Sequence, residues 1–406
     1  FHSIFIIVIQ HAVTRTGSAA MYRYITYYEI KGVIANMIYL DNAATGGFKP
    51  EEVLSAVDAA LKLSANPGRS GHRLSVACSE RVFACRRALM EFFGGWSCDR
   101  TIFTKNCTEA LNIALLGTLR PGDKVVTTFA EHNSVLRPLQ YLEDMGVEVT
   151  LAPLSPSGEV NIAALASMVH ADTRAVVITL ASNVTGTCPD IAKLRSLIPP
   201  RTLLICDGAQ ACGHINIDMK GWGIDALAVA GHKGMYGIQG SGALLFSERL
   251  DPGPLIYGGT GSYSRSLAMP DFYPDRLESG TLNYPAIVSL AAGVLYLKSH
   301  FNEERDKLFH LVSLTHSLLK EIPFVKLYSR PNYVGIVAFE VNGSGSEQVA
   351  RRLSDEFSVC VRGGLHCAPL MHEALGTSEN GLVRASLSPF NSEREADLFV
   401  KAVASL

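Results

Sequence analysis

Between residues 101 and 246 the chain repeats one pattern, a short β-branched apolar run followed by an amphipathic or small-residue stretch. The runs are "TIFT" (101–104), "KVVTT" (124–128), "VEVTLAP" (147–153), "AVVITL" (175–180), "LLICD" (203–207), "ALAVA" (226–230) and "GALLF" (242–246). Between them, "SVLRPLQYLEDMG" (134–146) and "DIAKLRSLI" (190–198) carry apolar residues at helical spacing. Strand signals alternating with helix signals predict an α/β fold, a mainly parallel seven-stranded sheet covered on both faces. After about residue 290 the rhythm changes. A long helical pattern over 301–322 leads into "VKLYS", "VGIVAFEV", the helix "SEQVARRLSDEF", then "RASLSPF" and a final helix over 392–406. This predicts a second, smaller α+β unit.

In open α/β sheets, groups that act on ligands gather at the carboxyl ends of the strands. After "TIFT", the residues Asn106, Cys107 and Thr108 open a helix, whose free N–H groups suit a phosphate, although a simple helix cap explains them equally. His132 follows "KVVTT", and Asn183 follows "AVVITL" with a glycine close behind. A lone histidine is ordinarily a satisfied surface or core residue. Asp207 ends "LLICD", where a carboxylate at the tip of a buried strand requires a cationic or hydrogen-bonding partner. Lys233 comes just past "ALAVA", in the glycine-rich "GHKGMYGIQG". A strand-tip acid and a loop amine suit a pyridine cofactor, the acid beside its ring nitrogen and the amine on its aldehyde. On this reading Gly231, Gly234, Gly237 and Gly240 clear space for a flat ring. Exclusion from bulk water lets the Lys233 amine lose its proton more readily.

Charge narrows the partners. With 36 basic and 38 acidic residues and no long basic run, the 406-residue chain offers no electrostatic reason to expect nucleic acid or an anionic membrane. Nine cysteines, scattered without a CxxC pair, read as reduced thiols of a cytoplasmic protein rather than a disulfide framework or zinc site. Cys85 and Cys206 fall in apolar periodic runs and read as buried packing residues. Cys367 does not. It sits in a glycine-containing loop with His366 adjacent and Arg362 five residues before, and neighbouring positive charge would stabilise its thiolate. Residues 1–36, apolar at first but too short to span a bilayer and without a signal-peptide pattern, are expected to be upstream translated sequence or a cloning remnant.

Ten segments together carry a resemblance: "YLDNAAT" (39–45), "NPGRSGHRLS" (66–75), "NCTEALN" (106–112), "EHNSVLRP" (131–138), "SNVTGT" (182–187), "DGAQ" (207–210), "GHKGMYG" (231–237), "RLESGTLN" (276–283), "RGGLHCA" (362–368) and "RASLSPFN" (384–391). In this order they resemble the cysteine desulfurases and selenocysteine lyases, class V aminotransferases of fold type I, over essentially everything from Ile38 onward. The resemblance implies a large pyridoxal-phosphate-binding domain over 51–289 and a small domain from 37–50 and 290–406. It implies that Lys233 carries pyridoxal 5'-phosphate as a Schiff base and Asp207 pairs with the ring nitrogen. His132 would stack on the ring and Gln210 would bond the phenolic oxygen. Thr108 and His232, beside Cys107, would hold the phosphate. Gly280 and Thr281 would reach the phosphate of a neighbouring subunit, so the resemblance implies a homodimer.

Asn183 and Arg384, with Arg362 nearby, match positions that hold the substrate carboxylate, and Cys367 matches the nucleophile. The implied reaction removes sulfur from L-cysteine, or selenium from L-selenocysteine, leaving alanine and a persulfide on Cys367. Sulfur metabolism of this kind feeds iron–sulfur cluster assembly, commonly through a sulfur-acceptor protein. Another class V aminotransferase or lyase activity, or a sulfur carrier without turnover, are the alternatives. Ala230 stands where many desulfurases have serine, so one phosphate hydrogen bond, worth ~1.5–3 kcal/mol, is expected to be missing. The segment between Lys233 and Glu278 is also short, which bears on acceptor docking.

Overall fold

The computed structural model describes residues 37–406 apart from Ser64 and Arg69, so the expectation for residues 1–36 lies outside the described residues. The elements run β1 (Ile38–Tyr39), α1 (Glu51–Lys62), α2 (Arg73–Phe92), β2 (Thr101–Thr104), α3 (Cys107–Leu116), β3 (Lys124–Thr128), α4 (Asn133–Asp144), β4 (Glu148–Ala152), α5 (Ile162–Ser167), β5 (Thr173–Thr179) and α6 (Ile191–Leu197). They continue as β6 (Leu203–Asp207), β7 (Ala226–Ala230), β8 (Gly242–Phe246), α7 (Tyr284–Lys320), β9 (Val325–Leu327), β10 (Ile336–Val341), α8 (Ser346–Phe357), β11 (Val359–Cys360), α9 (Pro369–Leu375), β12 (Val383–Ser386) and α10 (Glu393–Ala404).

All seven apolar runs form one sheet in the order β2-β8-β7-β6-β5-β3-β4. Only β8 opposes the common direction, being antiparallel to both β2 and β7. The central strands are buried on both faces, which is why they read as continuous apolar runs. Successive residues go to opposite faces. Val176, Ile178, Leu204, Cys206, Leu227, Val229, Ala243 and Leu245 join one core, while Ala175, Val177, Leu203, Ile205, Ala226, Ala228, Leu244 and Phe246 join the other. Helices α1, α2, α6 and the first half of α7 cover the former, through Val53, Leu89, Leu194 and Leu290. Helices α3 and α4 cover the latter, through Leu111, Leu115, Val135 and Leu139.

The C-terminal part builds a three-stranded antiparallel sheet, β12-β10-β9. The first strand packs beside it from a distance in sequence: β1 pairs in parallel with β11 in a separate two-stranded sheet, and Ile38 and Leu40 share a core with Phe339, Val383 and Phe399. Helix α7 is longer than its sequence pattern suggested. It begins at Tyr284 and runs 37 residues, with Asn283 capping it by accepting from the Ala286 N–H at 3.3 Å. Its first half packs on the large sheet and its second half, through Leu308, Leu311 and Leu319, on the C-terminal core. The change of partner breaks any single apolar stripe, which hides the helix's full length from periodicity. Residues 289 and 290, the domain boundary that the resemblance implies, lie inside this helix.

Candidate active site

One cavity at the carboxyl ends of β3, β5, β6 and β7 gathers residues that the sequence scatters over more than a hundred positions. It is lined by Asn106, Cys107, Thr108, His132, Ser134, Thr179, Ala181, Asn183, Asp207, Ala209, Gln210, Ala230, His232 and Lys233. Asp207 is the last residue of β6 and is buried. Its Oδ1 accepts from the Ala209 N–H at 2.8 Å and from the Cys107 thiol at 3.3 Å, while Oδ2 makes no hydrogen bond among the described residues. Burial first, and Asp207 second, push the Cys107 thiol well up, so it remains a neutral donor. Burial pushes the Lys233 amine down, against the opposing pull of Asp207. The Lys233 Nζ has no hydrogen-bond partner among the described residues.

His132 caps α4, its Nδ1 accepting from the Ser134 N–H at 3.0 Å. Burial pushes its pKa down to about 4, with Lys233, Arg362 and Arg384 lowering it further against Asp207. The ring is therefore neutral, with its proton on Nε2, which has no partner among the described residues. The Ser134 hydroxyl lies 2.9 Å from His132 Nδ1 and 2.7 Å from the Thr108 hydroxyl, so it joins the two. Asn106 is a helix cap, accepting from the Glu109 N–H at 2.9 Å. His232, with Nδ1 3.2 Å from the Thr45 hydroxyl, is pushed down to about 4 by burial. Gln210 donates to the Ala43 carbonyl at 3.0 Å.

Cys367 lines an adjoining cleft that shares Thr108, His132 and Ser134 with this cavity. Its carbonyl accepts from the Asn133 N–H at 2.7 Å, which ties the loop to the start of α4. The thiol is exposed, with the Arg362 guanidinium 3.9 Å away. Both His366 (φ 52°) and Cys367 (φ 57°) are left-handed, a conformation that costs a non-glycine residue on the order of 1–3 kcal/mol. Strain of this kind at two consecutive residues needs the surroundings to impose it. Gly364 supplies them in part: its N–H donates to the Ser346 hydroxyl at 3.0 Å and its carbonyl accepts from the Leu382 N–H at 3.2 Å.

Two sequence expectations change. His366 was expected to lend Cys367 positive charge, yet it is buried and pushed down to about 2, by burial first and by Arg384 next, so it is neutral. Nor do the four glycines of the Lys233 loop open space for a ring, since none lines the cavity. A Cβ on Gly234 would come within 2.6 Å of the Cys212 carbonyl and of His214, and one on Gly237 within 2.7 Å of the Ser241 hydroxyl. Their smallness lets the loop fold onto its own neighbours.

Arg384 is buried behind Asn183 rather than lining the cavity. It donates to the Asn183 carbonyl at 2.9 Å and to Asp41 at 3.1 Å, and its Nε has no partner among the described residues. The Asn183 side chain donates to the His366 carbonyl at 2.7 Å. Thr281, with Gly280 beside it in the chain, lines a separate cavity with Lys105 and Glu109. Sequence reasoning missed Asp41, Ser134, Thr179 and Glu131. Glu131 is fully buried and accepts from Thr128 at 2.7 Å and from the Thr179 N–H at 3.0 Å, while its Oε2 has no partner among the described residues. Only Ser134, in the second position of a helix beginning just past a strand, carried a local signal.

The sequence profile of the family "Aminotransferase class-V" matches residues 38–399. A probable cysteine desulfurase of Methanothermobacter thermautotrophicus is 31% identical over 378 residues, 90% of this chain and 94% of that protein. The apo structure of a cysteine desulfurase from Thermococcus onnurineus NA1 superposes with a TM-score of 0.83 at 31% identity, over 92% of this chain and 95% of that one. The cysteine desulfurase CsdA of Escherichia coli, solved with an S-sulfonic acid, gives a TM-score of 0.80 at 28% identity, over 91% and 94% of the two chains.

Proposed function

We propose that this chain, which belongs to the aminotransferase class-V family, is a cysteine desulfurase that takes sulfur from L-cysteine onto Cys367 with pyridoxal phosphate bound in the strand-end cavity. The observation that carries the reading is the meeting of an acid, an amine and a nucleophile. Asp207 and Lys233 line one cavity, and Cys367 lines a cleft sharing three residues with it. The donor set fits the cofactor: Asp207 keeps one oxygen uncommitted, Lys233 has an amine without partner, and the hydroxyls of Thr108 and Ser134 meet near the start of α3. When bound, pyridoxal phosphate supplies a carbonyl for the substrate amine and an electron sink at the substrate Cα.

The remaining chemistry belongs to the chain. Lys233, its proton weakly held because of burial, takes the Cα proton. Asn183, which lines the cavity, meets the substrate carboxylate, and the buried Arg384 guanidinium bonded to the Asn183 carbonyl stands behind it and supplies the positive charge. The Cys367 thiolate, with Arg362 beside it, attacks the substrate sulfur. An S–S bond forms as the C–S bond breaks, the electron pair of that bond stays on carbon, and protonation of that carbon gives alanine. His132, which lines the same cleft as Cys367, carries a proton on Nε2 that it can give to this exchange. Two copies associate so that Gly280 and Thr281 of each complete the cavity of the other. Glu278 steadies that segment, bonding buried Arg86 at 2.7 Å and accepting from the Phe103 N–H at 2.6 Å.

Incubation of the pyridoxal-phosphate-loaded protein with L-cysteine and excess dithiothreitol, which reduces the Cys367 persulfide and releases its outer sulfur as sulfide, tests the reading when alanine and sulfide are assayed together. Equal amounts of both support it. Keto acid without sulfide would mean a transaminase.

A further inference from the structure

Beneath the Cys367 loop lies a chain of side chains that the reaction does not use. His366 Nε2 is 3.3 Å from the Arg362 carbonyl, His366 Nδ1 is 3.5 Å from His372 Nε2, and His372 Nδ1 is 2.9 Å from the Thr377 hydroxyl. His366, His372 and Thr377 are all buried, and the two rings stack with 5.6 Å between centroids. Burial pushes His366 down to about 2 and His372 to about 4, so each ring is neutral and carries one N–H.

The direction of the chain then follows from its end. A carbonyl can only accept, so His366 must donate from Nε2 and accept at Nδ1. His372 must therefore donate from Nε2 and accept at Nδ1, which leaves the Thr377 hydroxyl as the first donor. The hydroxyl also lies 3.4 Å from the His372 carbonyl, but that carbonyl already accepts from the Thr377 N–H at 2.8 Å, and only with the hydroxyl donating to Nδ1 does every group along the chain face a complementary one. The opposite direction would set the His366 Nε2 lone pair against the Arg362 carbonyl in a buried site, a loss comparable to an unmade hydrogen bond.

The Arg362 carbonyl is where this chain meets the site. It also accepts from the Arg384 N–H at 2.8 Å, and the Arg362 N–H donates to the Arg384 carbonyl at 3.1 Å. One end of the relay thus holds the backbone from which the Arg362 side chain reaches Cys367. His366 is itself the first of the two left-handed residues that turn Cys367 toward the cleft.

We propose that Thr377, His372 and His366 form a directional hydrogen-bond relay that positions Cys367 and Arg362, acting on the reaction only through them. The proposal rests on Cys367 being the sulfur acceptor, so its test includes readouts that need no turnover. In the full-length holoenzyme, imidazole 15N chemical shifts are expected to show both histidines as neutral Nε2–H tautomers near neutral pH. His372→Phe keeps a ring but removes the donor, whereas His372→Gln keeps an N–H at the position of Nε2. With L-cysteine, His372→Phe is expected to lower kcat on the order of tenfold with KM changed less than about twofold, and His372→Gln to stay within about threefold of the parent. Iodoacetamide alkylation of Cys367 is expected to slow in His372→Phe and not in His372→Gln. An Nδ1–H tautomer at either histidine, or His372→Phe and His372→Gln behaving alike, would overturn the relay. Should His372→Phe fail to fold, Thr377→Val carries the same comparison, and unchanged kcat and alkylation there would count against it. A protein that releases no sulfide from L-cysteine at all would sink the desulfurase reading, while the tautomers and alkylation rates would still decide the relay.

Discussion

Asp207 and Lys233 stand at or just past the tips of strands buried on both faces, whereas Cys367 stands on an exposed loop held by two left-handed residues. The same contrast divides the two cysteines that line the site. Cys107 is sealed in the sheet, its thiol pushed well up by burial and committed to Asp207. Cys367 is open to solvent beside a guanidinium. The difference teaches that the two halves of the chemistry need opposite environments. Proton transfer at Cα requires an amine whose charge is disfavoured, which burial provides. Sulfur transfer requires a nucleophile that can reach the substrate and then hand its cargo on, which burial would prevent.

Breaking the buried half should cost most. Lys233→Ala is expected to lower alanine formation by about a thousandfold or more, the scale of a lost general base. Alanine release, with the absorbance of bound pyridoxal phosphate as a control for loading, measures it. Breaking the exposed half should cost less but select the product. Cys367→Ala is expected to lower sulfide output on the order of a hundredfold while leaving the cofactor absorbance intact. Full sulfide output from that variant would remove Cys367 from the reaction.

Arg384 sharpens the comparison because it lies between the halves. Arg384→Lys keeps the charge and loses the fork that bonds Asn183 and Asp41 together. It is expected to raise the KM for L-cysteine roughly tenfold with a smaller change in kcat, the pattern of lost ground-state binding. Steady-state kinetics on the loaded enzyme reads the split. An unchanged KM would assign the carboxylate to another group.

The smallest effects concern pH and stability. His132, His214, His232 and His372 are pushed down to about 4 and His366 to about 2, each by burial first. Between about pH 6.5 and 4 the unfolded chain binds more protons at these sites than the folded one. Their contribution to stability is whole above pH 6.5 and is lost on acidification, so Tm should fall from pH 7 to 5. Glu131, pushed up to about 8 by burial, works in the opposite sense. Its contribution is whole below about pH 4.5 and lost as pH rises through 8. Glu131→Gln should therefore stabilise the protein more at pH 8 than at pH 6. A scanning-calorimetry series on both proteins checks the two signs, and a Tm flat between pH 7 and 5 would contradict the histidine account.

The central strands of the large sheet were legible in the sequence because each is buried on both faces and so reads as an uninterrupted apolar run, whereas the edge strand β4, largely exposed, was legible through its alternation of polar and apolar residues. Asp207, His132, Asn183 and Lys233 were legible for a related reason, since a polar residue at or a few positions past the end of such a run stands at a strand's carboxyl end. Helix α7 was only half legible, because it changes partner midway. Asp41 and Glu131 were not legible, since their partners lie 343 and 48 residues away in sequence.

Local patterning alone determined the strands, the strand-tip acid and the amine that follows β7, because hydrophobic period and turn residues are written within a few positions of one another. Only tertiary packing decided which groups are charged and which are neutral. His366 and Cys107 would look like ordinary titratable residues in any window of sequence. Their burial, supplied by segments far along the chain, removes the water that would have solvated their ionised forms.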